Sequence, residues 1–374
     1  MKIAQIICTY PPYRGGMGNS VFEASKYLRK LGNEVEVFTP FYTENEIKLP
    51  NVNYEKPIFS FGKAARIKKF LDGLTNFDIV HLHYPFFGTA SLVAKWKKEN
   101  PKIPLVITYH MDATASGWKG LIFKLYSKIL MPKILNSADA LIASTFDFVE
   151  NSQAKNIHKK TKEKWHEVPF GVDIERFKIR EKDEKLFEKY NLDKNKKTIL
   201  FVGGMDKGHH FKGVPVLLEA LKKLQTNNWQ CILVGEGDLR EGFIKLTNKL
   251  GLNEKVKFVG NVSEELLPKY YNLADLFVLP SVSSAEAFGI VLLEAMASSV
   301  PVVATNLPGV RKIARKGGEV AEINNSEDLI IKIESVLERY EHKNLKIKLQ
   351  EIIKKEYSWE ISVCKLLKIY KKLI

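Results

Sequence analysis

Short apolar runs alternate with longer segments of helical spacing along nearly the whole chain. In the first half the apolar runs read KIAQIICTY, EVEVFTP, DIVHLHYP, PLVITYH and ALIAST, and in the second half TILFVGGM, CILVGEGD, VKFVGNV, DLFVLPS and PVVAT. Such alternation is typical of a parallel, doubly wound sheet, which binds ligands at the carboxyl ends of its strands. We therefore predict an α/β protein with Rossmann-like domains.

The alternation starts afresh near the middle of the chain, which predicts two domains. Residues 178–197 are strongly charged and lack a strand pattern, so we interpret them as a linker. Residues 1–177 then form an N-terminal domain and residues 198–357 a C-terminal domain. Because both halves repeat one pattern, we expect two similar domains that face each other across a cleft.

The composition is that of a globular protein, with 45% hydrophobic and 27% charged residues in 374. No apolar run approaches the roughly 18 residues that span a bilayer. The first apolar run stops at Pro11, too soon for the core of a signal peptide, so we expect a cytoplasmic location. The three cysteines, Cys8, Cys231 and Cys364, are too widely spaced to indicate a disulfide framework or a zinc site.

The formal net charge of +15 is compatible with nucleic-acid binding, with attraction to an anionic membrane surface, or with a basic proteome. The chain contains no recognisable nucleic-acid-binding motif, and its lysines are dispersed. Residues 117–135 combine lysines with aromatic and apolar residues in a helical pattern. We interpret this segment either as a core helix or as a helix that lies on the inner face of a membrane.

The stretch from Ser281 to Pro308 predicts a strand, a loop, a helix and a second strand. Four residues at the start of this helix offer backbone amides that suit a phosphate: Phe288, Gly289, Ile290 and Val291. Glu286 in the loop and Glu294 one turn into the helix suit the hydroxyls of a ribose or a sugar. The alternative is that both glutamates are ordinary polar positions.

A second candidate site follows the strand TILFV. Gly203 and Gly204 come directly after it, and Lys212 stands just before a helix that begins near Val214. An ammonium group at a helix start is suited to bind a diphosphate.

Gly15 and Gly16 follow the first strand and would let the backbone approach a ligand, although a flexible turn is the alternative. We expect the next helix to begin near Val21, with Asn19 or Ser20 as its cap.

Three histidines lie at strand ends. His81 and His83 occupy alternate positions of one strand and therefore share a face, but no third metal ligand is evident, so we favour a structural role or a place near an acceptor. His110 ends the strand PLVITY, where a doubly wound sheet builds its site, and it is a candidate active-site residue.

The run AEAFGIVLLEAMA, followed by PVVAT and LPGV, resembles the signature of the retaining glycosyltransferases of family 4, in which two glutamates stand eight positions apart. These enzymes belong to the glycosyltransferase group 1 family and have the GT-B fold. The stretch EVPFGVDIERF resembles the interdomain turn of this family, with Phe170 where asparagine is common. Residues 358–374 resemble the final helix that crosses back onto the first domain, which they are expected to complete.

The resemblance implies a role for each candidate residue. His110 and Glu286 would position the donor sugar, Lys212 would bind the diphosphate, and Glu294 would bind the ribose. The glycine loop would lie near the donor phosphates and the acceptor: Gly15 and Gly16. Many family members have an arginine where this chain has Gly204, so its charge is expected from Lys207 or His209, or is absent.

The resemblance also implies the reaction, which is transfer of a sugar from a UDP- or GDP-linked donor to an acceptor hydroxyl, in polysaccharide or glycolipid synthesis, with an α-linked product. The chain contains no Asp-x-Asp motif, so we expect metal independence and no cofactor besides the nucleotide sugar. The expected partners are the donor, a lipid-linked or saccharide acceptor, and an anionic membrane surface if attachment is peripheral, but no nucleic acid.

Three alternatives stay open. A sugar-nucleotide epimerase of GT-B architecture would act without an acceptor. A basic nucleic-acid-binding protein would ignore sugar nucleotides and lose affinity steeply with salt. An inactive, lectin-like relative would bind a sugar without transferring it.

Overall fold

The computed structural model describes residues 1–12, 15–42, 49–61, 64–113, 117–226, 228–339 and 343–374. It divides into two compact units, one formed by Met1–Gly171 with Trp359–Ile374 and the other by Val172–Ser358. The predicted linker, residues 178–197, therefore lies within the second unit. The backbone amide of Arg180 donates to Asn272 Oδ1 at 2.7 Å, and the hydroxyls of Tyr190 and Tyr270 lie 2.8 Å apart.

The first unit is built on a seven-stranded parallel sheet with the order β3-β2-β1-β6-β7-β8-β9. A separate antiparallel hairpin is formed by β4 and β5. In chain order the strands are β1 (Lys2–Ile6), β2 (Glu34–Pro40), β3 (Val52–Glu55), β4 (Phe59–Phe61), β5 (Ala64–Arg66), β6 (Ile79–Tyr84), β7 (Leu105–Tyr109), β8 (Ala140–Ala143) and β9 (Trp165–Glu167).

Helices connect these strands, as parallel pairing requires. They are α1 (Gly16–Lys30), α2 (Ala90–Glu99), α3 (Gly117–Asn136), α4 (Phe146–Val149) and α5 (Lys155–Lys160), with short 3-10 helices at Lys69–Asn76 and Lys162–Lys164. Strands β6, β7 and β8 are buried along their whole length, which explains why they read as continuous apolar runs in the sequence.

Helix α1 begins earlier than the sequence predicted. It starts at Gly16, with Gly15 as the N-cap residue, rather than near Val21. The expected cap Ser20 lies inside the helix, where its hydroxyl donates to the carbonyl of Met17 at 2.8 Å. The helix enters close to the end of the first strand, because a Cβ at Gly18 would lie 2.9 Å from the Thr9 carbonyl oxygen. Gly16 and Gly18 therefore belong to the first helical turn, and Gly15 is its N-cap residue.

The second unit has a six-stranded parallel sheet with the order β12-β11-β10-β13-β14-β15. Its strands are β10 (Lys197–Val202), β11 (Trp229–Val234), β12 (Val256–Gly260), β13 (Leu276–Leu279), β14 (Val302–Thr305) and β15 (Gly318–Ala321). Its helices are α6 (Glu184–Lys189), α7 (Val214–Lys222), α8 (Arg240–Lys249), α9 (Leu267–Leu273), α10 (Ile290–Ala297), α11 (Val310–Gly317), α12 (Ser326–Arg339) and α13 (Lys343–Ile352), with a 3-10 helix at Lys207–Lys212 and a π-helical turn at Ile353–Tyr357.

The last helix, α14 (Trp359–Leu373), packs in the core of the first unit. Its buried residues Trp359, Val363 and Tyr370 join the cluster around β1. Gly171 lets the chain pass the start of this helix, because a Cβ at that position would lie 2.6 Å from the Trp359 Cα. The start of α14 therefore lies directly against Gly171, the last residue of the segment Met1–Gly171.

In each sheet the strand order changes direction once. The change lies between β1 and β6 in the first unit and between β10 and β13 in the second. Loops that leave two such neighbouring strands diverge to opposite faces of the sheet, which opens a crevice for ligands at their carboxyl ends. Each unit therefore has one position where the topology itself favours a site.

Candidate functional site

Lys212 and Glu286 meet where the strand order of the second unit changes. Lys212 follows β10, and Glu286 follows the neighbouring strand β13. The Lys212 Nζ lies 2.6 Å from Glu286 Oε2, and the two side chains are only 13% and 11% exposed. Ser281 Oγ donates to the same carboxylate oxygen at 3.4 Å. An anion that reaches this position would have to compete with Glu286 for the ammonium group.

Close approach of two loops brings this pair together. Gly213 has a φ of +73°, and a Cβ there would lie 2.0 Å from the Pro280 carbonyl oxygen, so no other residue fits. The backbone amide of Val282 donates to the Phe211 carbonyl at 2.7 Å. The loop after β10 is thereby fixed against the loop after β13, with Lys212 beside its partner.

His209, not Lys207, lies against Gly204. A Cβ at Gly204 would be 2.8 Å from His209 Nδ1, and this nitrogen lies 2.6 Å from Asp206 Oδ2. Lys207 is 84% exposed, and its Nζ lies 3.7 Å from a carboxylate oxygen of Asp238. Of the two residues considered for the charge missing at Gly204, the imidazole therefore occupies the place beside that glycine.

Glu294 and the start of α10 form the other part of the site in the second unit. Gly289 is the N-cap residue, with a φ of +77°, so the helix begins at Ile290. Glu294 is partly buried, and its Oε2 accepts a hydrogen bond of 2.6 Å from the hydroxyl of Tyr271. Burial raises the pKa of Glu294, while the hydrogen bond from Tyr271 works in the opposite direction. Phe288 is buried, and the next two residues, Ile290 and Val291, are partly exposed.

In the first unit His110 belongs to a row of buried imidazoles. Its Nε2 lies 2.8 Å from Nδ1 of His83, whose Nε2 lies 2.6 Å from Oε1 of Gln5. His81 contacts the hydroxyl of Tyr370 through Nδ1 at 2.5 Å and Thr108 Oγ1 through Nε2 at 2.7 Å. Both ring nitrogens of His81 and of His83 are thus engaged by protein groups.

These imidazoles are neutral because they are buried. Burial lowers the pKa of His81 and that of His110 to about 3, and it lowers the pKa of His83 well below the ordinary value, with neighbouring imidazoles acting in the same direction on His81 and His83. The ring of Phe170 stacks on His110 with centroids 5.3 Å apart. In the described parts of the chain no group of three or more His, Cys, Asp or Glu side chains could hold a metal ion.

The glycines at the start of α1 leave open space. A Cβ at Gly16 would meet no atom within 4 Å, and Gly15 has an extended backbone. Residues 13–14 of the predicted glycine loop lie outside the described residues. The amide end of a 15-residue helix therefore opens near the carboxyl end of β1.

Helix α3 exposes large apolar side chains beside its lysines. Six of these side chains are between 37% and 70% exposed: Trp118, Leu121, Ile122, Leu125, Ile129 and Leu130. Lys124 and Lys128 are exposed on the same helix. None of the helices in the described ranges is long and apolar enough to cross a membrane. Of the two interpretations given to this segment, the exposure excludes a helix that is simply core.

The structure thus brings Lys212 and Glu286 together in the second unit and joins His110 to two further histidines in the first. Sequence reasoning missed Gln5, Tyr271 and Tyr370. Gln5 carried a signal, because it is a polar residue inside the apolar run KIAQII.

Two family models match the chain. The model described as Glycosyltransferase Family 4 matches residues 14–176, and the model described as Glycosyl transferases group 1 matches residues 182–356. Together they extend over most of both units.

Relatives and solved structures match over similar lengths. A phosphatidyl-myo-inositol mannosyltransferase of Mycolicibacterium smegmatis is 26% identical over 386 residues, which cover 98% of this chain and 92% of the relative. The O-antigen chain mannosyltransferase C of Escherichia coli is 26% identical over 319 residues, 82% of this chain and 80% of the relative. The structure of Anabaena HepE in complex with UDP matches with a TM-score of 0.76 at 19% identity over 100% of both chains. At that identity, the structural likeness shows a common fold.

Proposed function

Since the chain belongs to the group 1 glycosyltransferases of family 4 and has the GT-B fold, we propose that it moves a mannosyl group from a nucleoside-diphosphate mannose to a hydroxyl of a lipid-linked or saccharide acceptor, with retention of configuration. The choice of mannose is supported by the names of two relatives, the phosphatidyl-myo-inositol and O-antigen chain mannosyltransferases. A GDP-linked donor is the first to test, with a UDP-linked donor as the alternative.

The observation that carries the proposal is the ion pair of Lys212 with Glu286 at the strand-order change of the second unit. Negative charge builds on the diphosphate as the bond from its oxygen to the sugar breaks, and a fixed ammonium group stabilises that charge. In the proposed complex the diphosphate takes the place of Glu286 beside Lys212. The Glu286 carboxylate is then free to accept hydrogen bonds from sugar hydroxyls.

Glu294 is proposed to bind the ribose. Its carboxylate already accepts one hydrogen bond, from Tyr271, and a carboxylate has capacity for more. Ribose hydroxyls would donate to it, as a ribose does to an acidic residue in dinucleotide-binding folds. The amides at the start of α10, beginning with Gly289, offer further donors for the phosphates.

In the proposed scheme the configuration at the anomeric carbon is retained if the acceptor attacks the face of the sugar from which the leaving group departs. The bond between the anomeric carbon and the phosphate oxygen breaks, the bond from the acceptor oxygen to that carbon forms, and the acceptor proton passes to the phosphate oxygen. Glu286 would accept hydrogen bonds from the sugar during this exchange. In the first unit, His110 is proposed to contact a sugar hydroxyl. No step requires a metal ion, so activity is expected to survive a chelator.

Helix α3 is proposed to hold the enzyme on an anionic membrane surface, where a lipid-linked acceptor would lie. Its exposed apolar residues would enter the interface while its lysines face anionic headgroups. Leu121→Asp should weaken binding to vesicles that contain phosphatidylglycerol. Ile331→Asp on α12 is the control, because Ile331 is likewise an exposed aliphatic residue, at 58%, on a helix of the other unit. Equal vesicle binding by both variants would count against a role of α3 in membrane attachment.

The transfer itself is tested with radiolabelled GDP-mannose, UDP-glucose and UDP-N-acetylglucosamine, each with lipid and saccharide acceptor fractions and with a chelator. Lys212→Ala should abolish transfer. Lys223→Ala, which removes the ion pair with Glu327 at the other end of α7, should leave it intact. Acceptor-dependent transfer of mannose to an α-linked product supports the proposal. Conversion of the donor to an epimer without acceptor would instead identify an epimerase.

A further inference from the structure

A row of polar side chains runs through the first unit from the last helix to His110. Its members are Tyr370 on α14, Gln5 on β1, His83 on β6 and His110 after β7. The register of the sheet sets this row, because Gln5 pairs with His81 across β1 and β6, and His83 pairs with Thr108 across β6 and β7. Neighbouring strands thus present polar side chains to one another inside the core.

The row has a direction, and Gln5 fixes it. The Gln5 Oε1 faces His83, so it accepts from His83 Nε2, while the amide nitrogen is left to donate to the hydroxyl of Tyr370. Burial raises the pKa of Tyr370, and this hydrogen bond from Gln5 partly opposes the effect. The phenol in turn donates to Nδ1 of His81. Each group therefore has one donor and one acceptor in use.

The direction then passes to His110. A neutral imidazole carries one N–H and one lone pair, so His83, which donates through Nε2, must accept through Nδ1. The donor to that nitrogen is Nε2 of His110, 2.8 Å away. The proton of His110 is thereby placed on Nε2, and its Nδ1 keeps a lone pair.

Nδ1 of His110 is the open end of the row. Within the described ranges no protein group hydrogen-bonds to it, although the residue is only 4% exposed. Phe170 covers a face of the ring and leaves the ring edge as the direction from which a ligand can approach. A lone pair held in this way accepts a hydrogen bond from a hydroxyl and cannot donate one.

We propose that Gln5, His83 and Tyr370 are positioning residues that hold His110 as the Nε2–H tautomer, so that its Nδ1 accepts a hydrogen bond from a hydroxyl of the bound sugar. The part that concerns the sugar rests on the proposed function. The low pKa values of the buried histidines support it, because a protonated His110 would have no lone pair. The C-terminal helix thus acts on the site through Tyr370 as well as through packing.

The test reads the tautomer directly. In protein labelled with ¹⁵N-histidine, long-range ¹H–¹⁵N correlation spectra distinguish protonated from unprotonated ring nitrogens, and loss of one signal set in His110→Gln assigns this residue among the eight histidines. The wild type should show His110 protonated at Nε2 only. Protonation at Nδ1, or at both nitrogens, would overturn the proposal, and this measurement needs no variant of the row and no activity.

Two variants then test the positioning. Gln5→Met removes the acceptor for His83, and Tyr370→Phe removes the partner that orients the Gln5 amide. Both should shift His110 away from the pure Nε2–H form, and both should lower kcat about tenfold, as loss of one hydrogen bond in the transition state implies. Tyr27→Phe is the matched control, because Tyr27 is a buried tyrosine of the same core cluster outside the row. It should change neither quantity.

The outcomes separate the two proposals. A variant that keeps the tautomer but loses activity, or loses the tautomer and keeps activity, refutes the positioning role. A wild type that shows the Nε2–H tautomer but transfers no sugar refutes the proposed function and leaves the row of hydrogen bonds intact.

Discussion

Mild acid should destabilise the first unit, because three histidines are buried there in the neutral form. His81, His83 and His110 are between 2% and 4% exposed, and burial lowers the pKa of His81 and of His110 to about 3. In the unfolded chain a histidine takes up a proton near pH 6.5. Between these values the unfolded chain binds more protons than the folded one, so the free energy of unfolding falls as the pH falls.

The magnitude follows from the two protonation curves. For a pKa of about 3 in the folded state and about 6.5 in the unfolded state, one histidine costs about 1.2 kcal/mol between pH 7 and 5.5, so His81 and His110 together cost about 2.4 kcal/mol. The lowered pKa of His83 adds to this loss. Burial also lowers the pKa of His158 and of His166, which acts in the same direction. A loss of this size is a large part of the ordinary stability of a domain.

The measurement is a denaturant titration at pH 7 and at pH 5.5, monitored through amide exchange of peptides from β6 and β7. These peptides report the free energy of unfolding of the first unit by itself. The second unit is an internal control, because burial raises the pKa of Glu294, and a raised carboxyl pKa makes stability rise as the pH falls toward the ordinary value. In His83→Gln the pH-dependent loss should be smaller than in the wild type. A first unit whose stability changes by less than about 1 kcal/mol would refute the neutral histidine row.

Three further predictions concern the second unit. Lys212→Ala leaves the Glu286 carboxylate largely buried without its cation and should cost about 3 kcal/mol in denaturant titration, whereas the double variant with Glu286→Gln should cost less than the two single changes together. Tyr271→Phe removes the hydrogen bond to Glu294 and should raise the pKa of that carboxyl further, so the loss should be larger at pH 7 than at pH 5, about 2 kcal/mol at most. Gly213→Ala should cost more than about 2 kcal/mol and weaken nucleotide binding in calorimetry, because its Cβ would meet a backbone oxygen.

The Lys212 and Gly213 predictions each have a control variant. Lys223→Ala breaks an exposed ion pair and should cost less than about 1 kcal/mol. Gly242 lies in helix α8, and a Cβ there would meet no atom within 4 Å, so Gly242→Ala should stabilise the unit by about 1 kcal/mol. Three results would contradict the described geometry. They are additive stability costs for the Lys212 and Glu286 variants, a cost of Tyr271→Phe that does not change with pH, and a Gly213→Ala variant as stable as the wild type.

The parallel sheets could be predicted from the sequence because strands buried on both faces leave a clear trace. β13 and β14 read LFVL and VVAT without a polar interruption until the last residue. The start of α1 could not be predicted in the same way, because glycine is a weak helix former and a run of it normally indicates a turn. Here Gly18 serves the close approach to Thr9, a contact that only the folded chain contains.

The candidate residues of the second unit could be found one by one, but not as a pair. Lys212 and Glu286 are 74 positions apart, and only the strand order, which puts β10 beside β13, makes them neighbours. That residues 178–197 are part of the second unit could not be predicted for a related reason. Composition does not distinguish a solvated linker from a loop whose backbone amides and tyrosines bond to one domain, as those of Arg180 and Tyr190 do.

The polar row of the first unit interrupts the continuous apolar runs by which the sheet was identified in the sequence. Burial of a polar group without a partner costs roughly 2–7 kcal/mol, so the four members of the row would be strongly destabilising if they were independent. They are not independent, because Gln5, His83 and His110 hydrogen-bond to one another in turn, and Tyr370 interacts with Gln5 and hydrogen-bonds to His81. Within the described residues the row ends at Nδ1 of His110, directly after β7, at the edge where doubly wound sheets generally bind ligands. In the proposed complex a hydroxyl of the ligand donates to this nitrogen, and the tautomer of His110 decides which orientation that hydroxyl must present.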